Sequence, residues 1–426
     1  GSEMCIRDRP RTDRESRRDF YRAVDVQQPS RRGQQQYYVP IYSRDGMQHY
    51  DHVPGMLDQI EFSVDQSVQF FSGFKGCGKS SELHRLADEL RTRGYRVAEM
   101  DIQDFFNPLQ PLNTAVLPYA LAAGFARALN RDPSGTPMQR FLDFVRRVRV
   151  QGKGTVGVDL DIVQAGVEVS AYVKDDPDFA AQARSAFNHN RRTFRAEFHA
   201  FFQDLIAGLG TTEPIVFLVD SIDHFRGIGD DFETVRASVE AAFIELADDL
   251  QIPNLHVVYT VPIYLEVGLG PVRHVVNVKL ATRDGDPYEP GIQALHEVLE
   301  RRAPGGDLHR LLEPALSRRL ILDSGGMFRD LLRLTRGLLI DATKPLPADA
   351  ASLDRAGMAI RDPYTTVLTR EQREILRGVD TTHELFLDKA SKADETLLIT
   401  MGAILRYPND RATWFAVHPL LRSLLA

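Results

Sequence analysis

Cysteine is scarce in this chain, with two residues in 426, Cys5 and Cys77. Two thiols cannot build a disulfide framework or fill a structural zinc site, and such usage suits a reducing cytoplasm, the expected compartment. Long apolar runs are missing as well. No stretch approaches the roughly 18 uncharged apolar residues of a membrane-spanning helix, which excludes an integral helical membrane protein and leaves no membrane partner to expect. Basic charge is not in excess either: 52 Lys plus Arg against 59 Asp plus Glu leave a net charge of −7. A surface that binds polyanions all over is thereby ruled out, and nucleic acid would have to bind a local patch. The remainder, 43% hydrophobic and 26% charged residues, is ordinary for a soluble fold. The length exceeds one core, so two or three domains are expected.

Residues 1–9 resemble translated adapter read-through more than a natural start, so Cys5 is expected to be non-native and the natural N-terminus to lie elsewhere. Residues 1–45 read as a polar tail or linker with a short helix around Phe20. An α/β rhythm follows. Strands are expected at Val68 to Ser72, from Arg96 to Asp101, over 215–219, over 255–259 and over 275–280, with helices between them at about 79–93, 113–129 and 138–148. Two alternating stretches over 154–173 predict a β-hairpin insertion at about 150–175. A helical stripe of Phe179, Ala183, Phe187, Phe194, Phe198, Phe201 and Leu205 reads as core packing. The fold class is thus α/β, with a core domain at 46–284, a helical lid at 285–350 and a small last domain at 351–426, where 403–407 and 412–417 flank a Pro-Asn-Asp turn signal.

Gly73-Phe74-Lys75-Gly76-Cys77-Gly78-Lys79-Ser80 matches the phosphate-loop pattern G-x-x-x-x-G-K-[ST] at every fixed position, between a strand and a helix as the pattern requires. Glycines let the backbone curl its N–H groups toward phosphates, and the helix N-terminus adds partial positive charge. Lys79 is expected to reach the β- and γ-phosphates, Ser80 to hold Mg²⁺, and Ser81 to border the site. A second metal-holding carboxylate is expected from Asp220, at the carboxyl end of the strand Phe217-Leu218-Val219, where ligands of parallel sheets bind.

These segments, with Val219-Asp220-Ser221-Ile222-Asp223 and Ser324-Gly325-Gly326-Met327-Phe328-Arg329-Asp330, resemble the AAA+ superfamily of P-loop ATPases over about residues 50–426. Within it, the STAND-like and origin-initiator-like branches append a lid and a winged helix. The resemblance implies a three-layer parallel sheet, ATP and Mg²⁺ as ligands, Arg329 as a lid arginine sensing the γ-phosphate, and Thr260, after a strand ending at Tyr259, as a polar sensor. It also implies Arg273, just before the last core strand, as an arginine finger offered to a neighbouring subunit. Many relatives carry an acid after the Walker B aspartate. Here that position is Ser221, with Asp223 the nearest replacement, so binding is expected to be surer than turnover. The segment from Tyr38 to Ile41 is the expected wall for adenine.

Trp414 and Phe415 in the last hairpin resemble the wing of a winged helix, a fold that binds DNA in initiators and packs or inhibits in STAND-type switches. From Leu353 to Ala426 ten Lys plus Arg balance ten Asp plus Glu, and Arg370, Arg373 and Arg377 interleave with Glu371 and Glu374, as on a solvated helix face. The expected function is therefore an ATP-dependent regulatory switch acting on a protein partner or on its own assembly. A DNA-binding initiator or transposition-type ATPase and a nucleotide-binding scaffold with little hydrolysis are the alternatives.

Overall fold

The computed structural model describes residues 12–25, 35–74, 76–130, 183–184, 187–188, 191–225, 231–265, 271–340, 345–386, 392–409 and 412–425. The expected hairpin at 150–175, the helix at 138–148, Phe179, Cys5 and Lys75 lie outside them. In chain order the first half holds α1 (Asp13–Ala23), α2 (His52–Phe62), β1 (Ser67–Gly73), α3 (Lys79–Thr92), β2 (Arg96–Asp101) and α4 (Leu117–Ala128). Then come α5 (Arg191–Ala207), β3 (Ile215–Asp220), α6 (Asp231–Glu245), β4 (His256–Thr260) and β5 (Val272–Val275). The rest is α7 (Glu289–Glu300), α8 (Pro314–Asp323), α9 (Phe328–Ile340), α10 (Ala350–Val367), α11 (Arg370–Thr382), α12 (Lys392–Met401), β6 (Ile404–Asn409) and β7 (Ala412–Val417). The chain divides into two compact units, one of residues 53–72 and 83–274, the other of residues 1–52, 73–82 and 275–426.

The first unit is α/β. Its sheet has the strand order β2-β3-β4-β1-β5, with parallel registers such as Arg96↔Ile215, Val216↔His256 and Ser67↔His256. β3 is apolar on both faces, as a parallel strand covered on both sides must be. Ile215, Phe217 and Val219 join the core shared with α4, α5 and α6, while Val216 and Leu218 are equally buried on the other side. On that other side Gln69 donates to the Met56 carbonyl of α2 at 3.0 Å. The described members of the aromatic stripe are core as expected: Ala183, Phe187, Phe194, Phe198, Phe201 and Leu205 are all buried, and beside them Phe125 of α4 meets Phe202 at 4.9 Å and Phe217 at 5.1 Å between ring centroids. α4 lies so close to β2 that a Cβ at Gly124 would fall 2.2 Å from the Met100 sulfur.

The fifth strand differs from expectation. It is Val272–Val275, and 276–280 is buried but irregular. Its apolar run reflects contact with other chain segments rather than sheet pairing: Asn277 N–H donates to the Arg406 carbonyl at 2.9 Å and Val278 N–H to the Gly326 carbonyl at 3.1 Å. The helix expected from 113 begins at Leu117, with Pro118 in its first turn.

The second unit is mostly helical. α1 opens with a Thr12/Glu15 capping box, and Tyr21 and Asp25 at its end bind Arg336 of α9 at 2.8 and 2.6 Å. α10 is capped by Asp349 and α11 by Thr369 with Gln372. β6 and β7 pair antiparallel from Ile404↔Val417 to Asn409↔Ala412. Pro408 and Asn409, expected in the turn, therefore lie in the strand. The hairpin shares a core of Leu405, Tyr407, Trp414 and Ala416 with Met327, and Tyr407 Oη donates to the Gly325 carbonyl at 2.6 Å. No described helix is long and apolar enough to cross a membrane.

Candidate functional site

β1 delivers the chain into the glycine-rich loop, and α3 begins at Lys79. Gly76 and Gly78 hold φ of +78° and +102°, the left-handed backbone that a curled loop requires and that side chains disfavour. Lys79 is buried, and its Nζ donates to the Gly73 carbonyl at 3.0 Å. Ser80 and Ser81 stand in the first turn of α3, where the backbone N–H groups carry partial positive charge. Cys77 is 3% exposed.

Arg329, the second residue of α9, starts against this loop. Its N–H donates to the Gly76 carbonyl at 3.1 Å, and a Cβ at position 76 would lie 2.6 Å from the Arg329 Cβ. Glycine at 76 is thus needed both for its φ and for this close approach.

Beside the loop opens a recess. One wall is the segment Tyr37, Tyr38, Val39, Ile41 and Tyr42; the loop side contributes Cys77, Gly78, Ser81 and Glu82; the far side is Val298, Arg302 and Phe328. The wall is held in place by polar contacts from elsewhere in the same unit. Tyr42 Oη lies 2.9 Å from the Cys77 carbonyl and 2.7 Å from the Val276 carbonyl, and burial pushes its pKa well above the usual range. Tyr38 Oη donates to Glu82 Oε1 at 3.0 Å. Arg301 donates to the Tyr38 carbonyl, and Arg302 donates to the carbonyls of Tyr37 at 3.1 Å and Val298 at 3.0 Å. The Arg302 guanidinium lies 5.2 Å from the Tyr37 ring and 5.1 Å from the Phe328 ring. Burial lowers its pKa to about 10.

The sheet unit carries the other expected residues. Asp220 ends β3, level with Asp101 at the end of β2, and its Oδ1 accepts the N–H of Ser221 at 2.7 Å. Ser221 is buried in the left-handed region at φ +71°, a strained position for a residue with a side chain. Thr260 lies inside β4 rather than after it, because the register with β1 extends to Phe71↔Thr260. Its Oγ1 accepts the Ile222 N–H at 3.3 Å, which ties the turn after Asp220 to the neighbouring strand. Asp223 sits in that turn with its side chain 8% exposed, 3.9 Å from His224 Nε2. Arg273 falls within β5, not before it, since the strand starts earlier than expected. Its guanidinium donates to Gln59 Oε1 at 2.8 Å and the Gly55 carbonyl at 3.4 Å, and burial lowers its pKa.

The segment Tyr38 to Ile41, expected as a wall for adenine, lines this recess, whereas the sequence did not point to Glu82, Val298, Arg302 and Phe328 as its other walls. Glu82 carries a readable signal, an acid three residues after the loop lysine on the inner face of α3. Val298 and Arg302, more than 200 residues away, carry none.

No protein-family model matches the chain, and no curated protein matches it in sequence. Solved structures do. The chain is similar to the Drosophila ORC bound to DNA (12% identity, 98% of this chain and 93% of that one, TM-score 0.40). It is also similar to Cdc6p from Pyrobaculum aerophilum (13%, 93% and 94%, 0.42) and to the Aeropyrum pernix ORC2 protein (12%, 95% and 95%, 0.42).

Proposed function

We propose that this chain is an ATP-binding regulatory ATPase in which nucleotide controls how the helical segment and the C-terminal hairpin domain are held, and so controls a protein partner or a second copy. The observation that carries the reading is the seat of Arg329 on Gly76: the helix bearing the arginine starts on the carbonyl of the phosphate loop itself. The left-handed glycines, the buried Lys79 and the aromatic recess at the loop's side fit a nucleoside triphosphate in charge and shape. Ser80 and Asp220 would hold Mg²⁺, which when bound offsets the charge of the phosphates.

Within this reading each group has one task. Lys79 exchanges the Gly73 carbonyl for phosphate oxygens. Arg329 adds a charge-assisted bond to the γ-phosphate from the helical side, so ATP holds α9 to the loop more tightly than ADP does. Turnover by a single protomer is slow, because the Ser221 hydroxyl is no base and Asp223 is nearly buried. Arg273 would have to leave Gln59 before reaching a neighbouring copy. A DNA-reading role finds less support: Arg373 and Arg377 of α11 donate to the carbonyls of Thr365 and Leu425, and Arg370 pairs with Glu374.

Small-angle scattering of the full chain with ADP and with a non-hydrolysable ATP analogue tests the switch. The two profiles should differ, and Arg329→Ala should remove the difference. Identical profiles in the parent protein would leave a nucleotide-binding scaffold in place of a switch.

A further inference from the structure

Tyr42 is buried, and its hydroxyl faces two main-chain carbonyls of its own unit at once, Cys77 of the phosphate loop at 2.9 Å and Val276 at 2.7 Å. Burial holds the phenol in its neutral form, so it has one proton to donate. Only one of the two carbonyls can receive a well-aligned bond at a time. The other then faces a bare oxygen at hydrogen-bond distance, an unfavourable contact in a buried place. The two carbonyls lead to different parts of the unit. Cys77 belongs to the loop. Val276 precedes Asn277, a fully buried residue that takes both main-chain groups of Arg406 in β6: its N–H donates to the Arg406 carbonyl at 2.9 Å, and its Oδ1 accepts the Arg406 N–H at 3.1 Å. The next residue of β6 is Tyr407, opposite Trp414 in the hairpin, with the two rings 4.9 Å apart.

We propose that the Tyr42 hydroxyl is a two-way selector, donating to Cys77 when the loop holds a nucleotide and to Val276 when it does not, and so relays loop occupancy to the hairpin. This rests on the nucleotide-binding reading above and names the residue through which that site is heard elsewhere. The Cys77 carbonyl shares a trans peptide with the Gly78 N–H, and the two point in opposite directions. A phosphate that accepts from this N–H polarises the peptide and makes the carbonyl a stronger acceptor. The hydroxyl then turns to Cys77, and the Val276 carbonyl loses its donor. Asn277 follows directly, so a shift of that peptide pulls on the main chain of β6. Because ADP also fills the loop, Tyr42 reports occupancy, whereas Arg329 reports the γ-phosphate.

Trp414 is the only tryptophan of the chain, so its emission reports on the hairpin. The test is a titration of the full chain, in Mg²⁺, with ADP and with a non-hydrolysable ATP analogue, reading tryptophan emission beside an independent measure of binding. Both nucleotides should change the emission of the parent protein, with a midpoint that matches binding. Tyr42→Phe keeps the ring and removes the hydroxyl. It should bind nucleotide about fivefold more weakly, the value of one neutral hydrogen bond, and should lose the emission change even at saturation. A hydroxyl that only propped the wall would cost affinity and leave the saturated amplitude whole. Asn277→Ala, outside the loop and the recess, should bind within about threefold of the parent, less than one such bond, and lose the emission change as well. The full amplitude in saturated Tyr42→Phe would overturn the proposal, as would the full amplitude in Asn277→Ala, which decides the matter if Tyr42→Phe does not fold. Bound nucleotide with unchanged emission in the parent protein would do the same. If no nucleotide binds at all, the functional reading fails and the relay with it, a result distinct from binding that the hairpin does not register.

Discussion

The end of β3 and the recess beside the phosphate loop fix their polar groups in opposite ways. Asp220 accepts from the N–H next to it, and Thr260 ties the following turn to the adjacent strand, so that region is set by backbone register within one sheet. Around the recess, Tyr38 leans on Glu82 and on Arg301, and Tyr37 on Arg302, side chains that arrive from segments 44 to 265 residues away. The strand end inherits its rigidity from buried apolar packing. The recess depends on a few charged contacts that hold a short segment with little regular structure. Damage to the first should appear as lost stability, and damage to the second as lost binding in a protein that still folds.

The largest effect should come from the sheet. Phe217, fully buried against Phe125 and Phe202, should cost about 3–5 kcal/mol on truncation to alanine, the range for a buried aromatic. Chemical denaturation with a sheet-unit probe checks it, and a loss under about 1 kcal/mol would mean that the strand does not owe its rigidity to this packing. Next, Lys79→Ala should weaken ATP binding by about a hundredfold, the value of a charge-assisted contact of roughly 3 kcal/mol. Fluorescent nucleotide titration with a melting control reads it; unchanged affinity in folded protein would remove the loop from the site. The smallest effect is expected for Arg301→Ala, which releases the Tyr38 carbonyl: roughly fivefold weaker ATP, about 1 kcal/mol, with an unchanged melting point. A drop in melting point without a change in affinity would reverse the contrast between the two regions.

The same contrast explains what could be read beforehand. The loop, β3 and the aromatic stripe are each written in one continuous stretch, where spacing alone fixes which residues meet. The strand expected at 275–280 failed because apolar alternation records burial without saying by what, and here the cover is the Gly326 turn and β6. Arg273 and Thr260 were placed one step off for a related reason, since strand ends follow a partner's register, which lies elsewhere in the chain. Arg302 was invisible because nothing near residue 302 mentions residues 37 and 328.

The hydrogen bond that seats Arg329 on Gly76 runs from main chain to main chain, N–H to carbonyl. Seating and sensing are therefore borne by different atoms. Sequence drift at 329 could change which charge is sensed, or abolish sensing, while the helix keeps its place on the loop. At 76 any side chain would remove the place itself. A chain built this way can lose its response to nucleotide and keep its shape, which gives an easy route by which an active switch of this design could drift into a silent one.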